Sequence, residues 1–419
     1  MVTYKKYSLE NGLRLIVHQD PRTDVAAVNL MVDVGAKDEA AEMTGLAHLF
    51  EHLMFEGSQN VPVYDRELEK AGGENNAFTN NDITNYFVTL PAANLETALW
   101  LESDRMMSLN LDPKKLEIQK RVVIEEFKER YLNQPYGDLW ALVRALSYKV
   151  HPYRWPTIGK DIQHIEKVSR SDVQDFYRRF YTPDNAILTV ASPLSPGEVY
   201  RLTQKWFGEL SPAEESYKRA LPKEPGQQQP RFQEVERDAP SSMIVRAFPM
   251  ADRLSEDYYV HDLISDILAN GESSRLKYTL MKKQELFSQI DAYISGDIEP
   301  GLLVIAGKIN DEVEIQEANN AIDHEINKLM EEHVSEYEIR KVKNKALIRL
   351  ENEKTGVLEK AMNLSFYELL GQAGLFEKQA DFYHRVSRED VLRECKKIFS
   401  TKNHNTLFYR AKEKNDKKS

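Results

Sequence analysis

Residues 44–57 read TGLAHLFEHLMFEG, and within them His48-Leu49-Phe50-Glu51-His52 sets two histidines four residues apart with a glutamate between them. On a helix, positions i and i+4 lie one turn apart on one face, so both imidazoles can reach a single ion. Glu51 is close enough to take a proton from water at that ion without being a ligand. The flanks predict a helix: Thr44 is a good N-cap, Leu46, Leu49, Phe50, Leu53 and Met54 form an apolar stripe, and Gly57 is a stop. Two histidines merely packed on an amphipathic helix would read the same way, so the hypothesis requires a further ligand elsewhere in the chain.

A zinc site that keeps a position open for water needs three protein ligands. The sole cysteine, Cys395, is far away near the C-terminus, which leaves a carboxylate as the candidate. Asp112-Pro113 is a strong start for a helix predicted from Lys114 to about Tyr131, with Glu125 and Glu126 near its end. Periodicity leans towards Glu126, which flanks the stripe of Leu116, Val123 and Phe127; Glu125 is placed to pair with Arg121 and Lys128. Either glutamate can complete the set. Between the two helices, Ile83 to Leu90 predicts a strand, and Asn75, Asn76, Asn80 and Asn81 read as turn residues before it.

The chain also repeats itself weakly. Val168-Ser169-Arg170-Ser171-Asp172-Val173 recurs as Val386-Ser387-Arg388-Glu389-Asp390-Val391, and each copy leads through an amphipathic helix to a strand-like run, Ala186 to Ala191 and Thr406 to Tyr409. Two copies of one domain is the natural reading. The segment from Ser211 to Pro230 is polar and rich in proline, glutamine and charge, which predicts an exposed linker. The expected division is therefore a zinc-binding catalytic domain over 1–210, a linker over 211–230, and a homologous domain without a metal motif over 231–419. Each half mixes strand-like runs with long helices, an α+β class with an antiparallel-rich sheet covered by helices.

With 419 residues and 41% hydrophobic content the chain can build two cores. A net charge of −11 argues against nucleic acid or an anionic membrane surface as a partner. No apolar stretch approaches spanning length, and the N-terminus enters a strand-like run, Leu13 to Val17, without a signal-peptide core. A lone cysteine excludes an intrachain disulfide and fits a reducing compartment. As numbered the chain is expected to be cytoplasmic, and periplasmic if a leader was removed.

Asn11-Gly12-Leu13, His48 to His52, Gly72-Gly73, Asn76-Ala77-Phe78-Thr79, Thr84-Asn85-Tyr86 and Val122-Val123-Ile124-Glu125-Glu126 come in the order and spacing of the pitrilysin/insulinase family, which the chain resembles throughout. Its size and two-part layout are most similar to bacterial members related to the mitochondrial processing peptidase β subunit. The resemblance implies two homologous domains facing each other across a cavity, one Zn2+ per chain held by His48, His52 and Glu126, and Glu51 as general base. It also implies that an edge strand at Asn76, Ala77 and Phe78 pairs with the backbone of an extended substrate, a mode that tolerates many sequences.

Two departures from the family pattern matter. Gln119 stands where many members carry a glutamate seven residues before the metal glutamate on the same helix face, which removes a negative charge near the ion. After Ser274-Arg275-Leu276, active members present an arginine and, seven residues later, a tyrosine; this chain has Met281 and Ser288. Met281 cannot donate a hydrogen bond and Ser288 is short, so the C-terminal half is expected not to complete a site unless Lys282, Lys283 or Tyr293 substitutes. The expectation is a zinc-dependent endopeptidase or oligopeptidase of extended or unfolded peptides. It would be the metal-bearing subunit of a hetero-oligomer whose second, family-related chain supplies the Arg/Tyr pair, with a homodimer as the other assembly. The alternative is a metal-binding but catalytically weak scaffold or assembly subunit of the same fold.

Overall fold

The computed structural model describes residues 2–215, 217–400 and 402–412; residue 216 of the expected linker and residues 413–419 of the second half lie outside the described residues, as do 1 and 401. As the sequence patterns predict, helices and strands are mixed, and the strands form two sheets.

The first sheet contains β1 (Lys5–Ser8), β2 (Arg14–Gln19), β3 (Val25–Val32), β4 (Glu74–Thr79), β5 (Thr84–Pro91) and β6 (Ala186–Ser192), in the order β1-β2-β6-β3-β5-β4. β6 reads AILTVAS and is buried along its whole length, while β3 reads VAAVNLMV and is exposed only at Val25. Near-continuous apolar runs of this kind belong in the middle of a sheet covered on both faces. β4, reading ENNAFT, alternates exposed and half-buried residues and sits at the edge beside β5. Thus Asn75 and Asn76 lie in a strand, not in a turn; the turn belongs to Asn80, whose side chain accepts from the amides of Asp82 and Ile83 at 2.7 and 2.9 Å. The strand expected over 83–90 is β5, shifted by one residue.

The second sheet contains β7 (Arg231–Arg237), β8 (Met243–Pro249), β9 (Phe287–Ile294), β10 (Leu302–Ile309) and β11 (Asn405–Ala411), in the order β7-β11-β8-β10-β9. Its pairings repeat those of β2-β6-β3-β5-β4: one parallel pair, β7 with β11 as β2 with β6, then antiparallel neighbours. The repeated hexapeptides do the same local work in each half. Ser169 caps the helix Arg170–Phe180 and Ser387 caps the helix Arg388–Ile398; each serine hydroxyl accepts from the amide of the aspartate three residues on, and each serine amide donates back to that aspartate's carboxylate.

Two compact units form, and neither is continuous in sequence: one comprises Met1–Phe127, Trp155–Pro222 and Leu350–Gln379, the other Lys128–Arg154, Lys223–Arg349 and Ala380–Ser419. Each half lends a helix to the other half's sheet. In the first unit the helix Val357–Leu369 buries Leu364 and Tyr367 with Ile16 of β2 and Ile187 of β6, and Ser365 bonds Thr189 and Asn29 within the sheet. In the second unit the helix Leu139–Ser147 buries Leu139 and Val143 against Val245, Val304 and Leu407. Burying each large side chain contributes about 1.5–3 kcal/mol, enough to hold a helix of this length in place. The 211–230 connector follows the same partition. Arg219 binds Asp33 and Asp38 in the first unit, and Glu224 accepts from the amides of Lys149, Val150 and His151 in the second.

Candidate metal centre

The pentad lies on the helix Leu46–Leu53, as predicted, with Leu46, Leu49, Phe50 and Leu53 buried and His48, Glu51 and His52 on the opposite, partly open side. Phe50 anchors it among Phe176, Tyr177 and Tyr181, with ring centroids 4.3–5.9 Å away. The start of the helix departs from expectation. The N-cap is Gly45, with φ of 90°, where a Cβ would come within 2.5 Å of the Ile158 carbonyl oxygen. Thr44 instead turns to Lys160 and His164, and the capping acceptor is Glu39: the Gly45 and Ala47 amides donate to its two carboxylate oxygens at 2.9 and 2.8 Å. Burial pushes the Glu39 carboxyl up to about 8, against the lowering effect of the two amides.

The helix Pro113–Phe127 packs beside this one, its start marked by the Lys114 amide donating to Asp112 at 2.7 Å. It carries Glu126 to the histidines and leaves Glu125 exposed. Glu126 Oε2 lies 3.8 Å from His48 Nε2 and 3.6 Å from His52 Nε2, and one ligand atom from each of the three residues falls within 4.8 Å of the others. Ligand atoms around a tetrahedral zinc with bonds of about 2.0–2.1 Å are roughly 3.3 Å apart. Two imidazole nitrogens and one carboxylate oxygen at these separations therefore fit a zinc ion, with a fourth position left over. Among the described residues this is the one such cluster of histidine, cysteine and carboxylate groups.

Glu51 is half-buried, and that burial raises its pKa, while the Thr79 hydroxyl and the nearby His52 act to lower it and Glu126 acts to raise it. The Thr79 hydroxyl donates to Glu51 Oε2 at 2.6 Å. Of the expected substrate residues, Asn76, Ala77 and Phe78 all lie on edge strand β4; Asn76 and Phe78 point outward, and the Ala77 amide is held by the Asn76 side chain at 2.8 Å.

Two further positions were not legible in the sequence. Thr79 shares the half-buried face of β4 with Asn75 and Ala77, which the two-residue period could have indicated. Nothing local marks Glu39, because its partners lie six and eight residues on.

Family models match both halves of the chain: "Insulinase (Peptidase family M16)" over residues 14–145 and "Peptidase M16 inactive domain" over 167–346. Over 349 residues, 81% of this chain and 78% of the relative, the sequence is 30% identical to the zinc protease PqqE of Helicobacter pylori. The chain belongs to the pitrilysin/insulinase family, peptidase family M16. It is also 25% identical over 311 residues, 70% of this chain and 67% of the relative, to the probable mitochondrial-processing peptidase subunit beta of Schizosaccharomyces pombe. The crystal structure of a protease from Helicobacter pylori superposes with a TM-score of 0.91 at 26% identity, covering 98% of this chain and all (100%) of that one.

Within this M16 chain the two departures have definite surroundings. Gln119 donates to the carboxylate of Glu56, whose other oxygen is 3.6 Å from Lys115 Nζ. Met281 falls in the π-helical turn Lys277–Lys283, and Ser288 is the second residue of β9, its hydroxyl donating to the Lys308 carbonyl at 3.4 Å. Of the neighbouring side chains, Lys282 pairs with Glu272 at 2.8 Å, Lys283 lies over the Tyr278 ring, and the Tyr293 ring packs edge-on against Trp140. Among the described residues no helix is long and apolar enough to cross a membrane.

Proposed function

We propose that this chain is the zinc-bearing subunit of a two-chain endopeptidase or oligopeptidase that hydrolyses extended or unfolded peptides. The convergence of His48, His52 and Glu126 with a partly buried Glu51 beside them supports this reading most directly. A zinc ion held by the three would supply Lewis-acid polarisation of the scissile carbonyl and acidify the attacking water.

Glu51 takes the proton from that water at its carboxylate and later passes it to the leaving amine. Burial raises the pKa of this carboxylate from its ordinary value. The open edge of β4 seats the peptide as an added strand, so affinity comes from main-chain hydrogen bonds and sequence selectivity is low. Pairing requires the Asn76 carboxamide to release the Ala77 amide. A second copy of this chain would bring the same Met281 and Ser288, so the missing donors are assigned to a different, family-related chain carrying the Arg/Tyr pair. The same two residues favour the second reading, a metal-binding scaffold with little catalysis.

Cleavage of a quenched peptide library by the zinc-loaded chain, alone and mixed with such a partner, separates these readings. Activity only in the mixture, abolished by Glu51→Gln while zinc stays bound, is expected. Full activity of the chain alone removes the partner, and zinc binding without cleavage in either sample leaves the scaffold.

A further inference from the structure

Behind Glu51 lies a run of hydroxyl groups, and the protons of the two nearest the carboxylate can be assigned. Tyr86 and Tyr181 join their hydroxyls at 2.7 Å, and Tyr181 in turn hydrogen-bonds Thr84. Thr84 donates to the Val34 carbonyl at 3.0 Å, an acceptor that can only receive, so its single proton is committed. Thr79 Oγ1 lies 3.4 Å from Thr84 Oγ1 and 2.6 Å from Glu51 Oε2. Its proton goes to the nearer, carboxylate partner. The Thr79 backbone amide also hydrogen-bonds this carboxylate, and among the described residues no side chain other than that of Thr79 does so.

We propose that Thr79 is the positioning residue of the general base, its hydroxyl holding Oε2 of Glu51 so that Oε1 remains to accept the proton; the inference rests on the reading of Glu51 as that base. A glutamate side chain has three rotatable bonds, and on the short metal helix nothing local fixes its last one. Thr79 sits on a strand, with its backbone registered opposite Thr84 in β5, so its hydroxyl is a fixed point. The strand proposed to seat the substrate backbone is then the same one that orients the base, and a peptide that orders β4 also steadies Glu51. Misplacing a reacting group by about 1 Å can cost on the order of 100-fold in rate.

The test uses the full zinc-loaded chain, with its partner chain if the wild type needs one. Thr79→Val keeps shape, strand preference and the backbone amide but removes the hydroxyl donor, Thr79→Ala is the second deletion, and Thr79→Ser keeps the hydroxyl. The expected result is a fall in kcat of about 10–100-fold for Val and Ala with KM and zinc content unchanged, and recovery by Ser. Crystal structures of the Val and Ser variants add a readout independent of turnover, with the Glu51 carboxylate displaced in Val and in place in Ser. A Glu51 carboxylate unmoved in Thr79→Val, or turnover at the wild-type rate in a protein that Glu51→Gln inactivates, overturns the proposal. Turnover that survives Glu51→Gln removes the base itself, a separate failure.

Discussion

Replacing Glu39 with alanine should loosen the metal helix from its N-terminal end. The Gly45 and Ala47 amides both donate to this one carboxylate, at 2.9 and 2.8 Å, and Gly45 and Ala47 are themselves buried. Alanine leaves two buried donors without an acceptor, at about 1–3 kcal/mol each. The expected loss is about 2–5 kcal/mol, which for a unit of this size lowers Tm by roughly 5–15 °C. Because His48 is the third residue of the helix, zinc affinity should fall as well. Thermal unfolding with and without zinc, with Glu39→Gln as the control that retains one acceptor oxygen, measures both effects. The control should lose about half as much. A Glu39→Ala protein with wild-type Tm and zinc affinity would show that water or a backbone shift satisfies the two amides and that the cap is dispensable.

Three other perturbations have clear expected outcomes. Glu126→Ala should weaken zinc binding by more than the roughly 10–100-fold typical of outer-sphere changes, whereas Glu125→Ala should leave it unaltered; competition against a chelator reads both. Gln119→Glu sets a second carboxylate against Glu56, so it should destabilise the protein by about 1–3 kcal/mol in thermal unfolding, with Glu56→Gln restoring stability. Asp266, in the helix Asp257–Ala269, has a carboxyl pushed up to about 6 by burial and then by neighbouring Asp262, against 3.8 ordinarily. Between those two values the folded state holds a proton that the unfolded state has released, so stability falls as pH rises through this window, by about 3 kcal/mol in all. Asp266→Asn should remove that fall, and its Tm should exceed the wild type's increasingly up to pH about 6 and stay above it beyond. Parallel Tm curves for the two proteins across this range would refute the assignment.

Much of the architecture follows from short-range pattern. The two serine caps are visible because each capping box closes within four residues, at Ser169 with Asp172 and Ser387 with Asp390. The run of β6 declares a strand by composition alone, and the pentad declares its shared helix face by spacing. Polar strands mislead: Asn75 and Asn76 look like turn residues, yet an edge strand facing solvent tolerates them because one of its sides has no core to fill.

The sequence by itself determined the ingredients of the centre, His48, Glu51 and His52 on one helix with two candidate glutamates on another, because those depend on helical period and near-neighbour chemistry. Only the tertiary structure decided which glutamate turns inward, that Glu39 rather than Thr44 caps the metal helix, that Thr79 holds Glu51, and that the halves exchange helices. Glu125 and Glu126 differ by about 100° around their helix axis, and that rotation acquires meaning only once another helix packs beside it. The contacts that choose among these options join residues distant in the chain, and their strength depends on burial and distance, which a linear pattern does not carry.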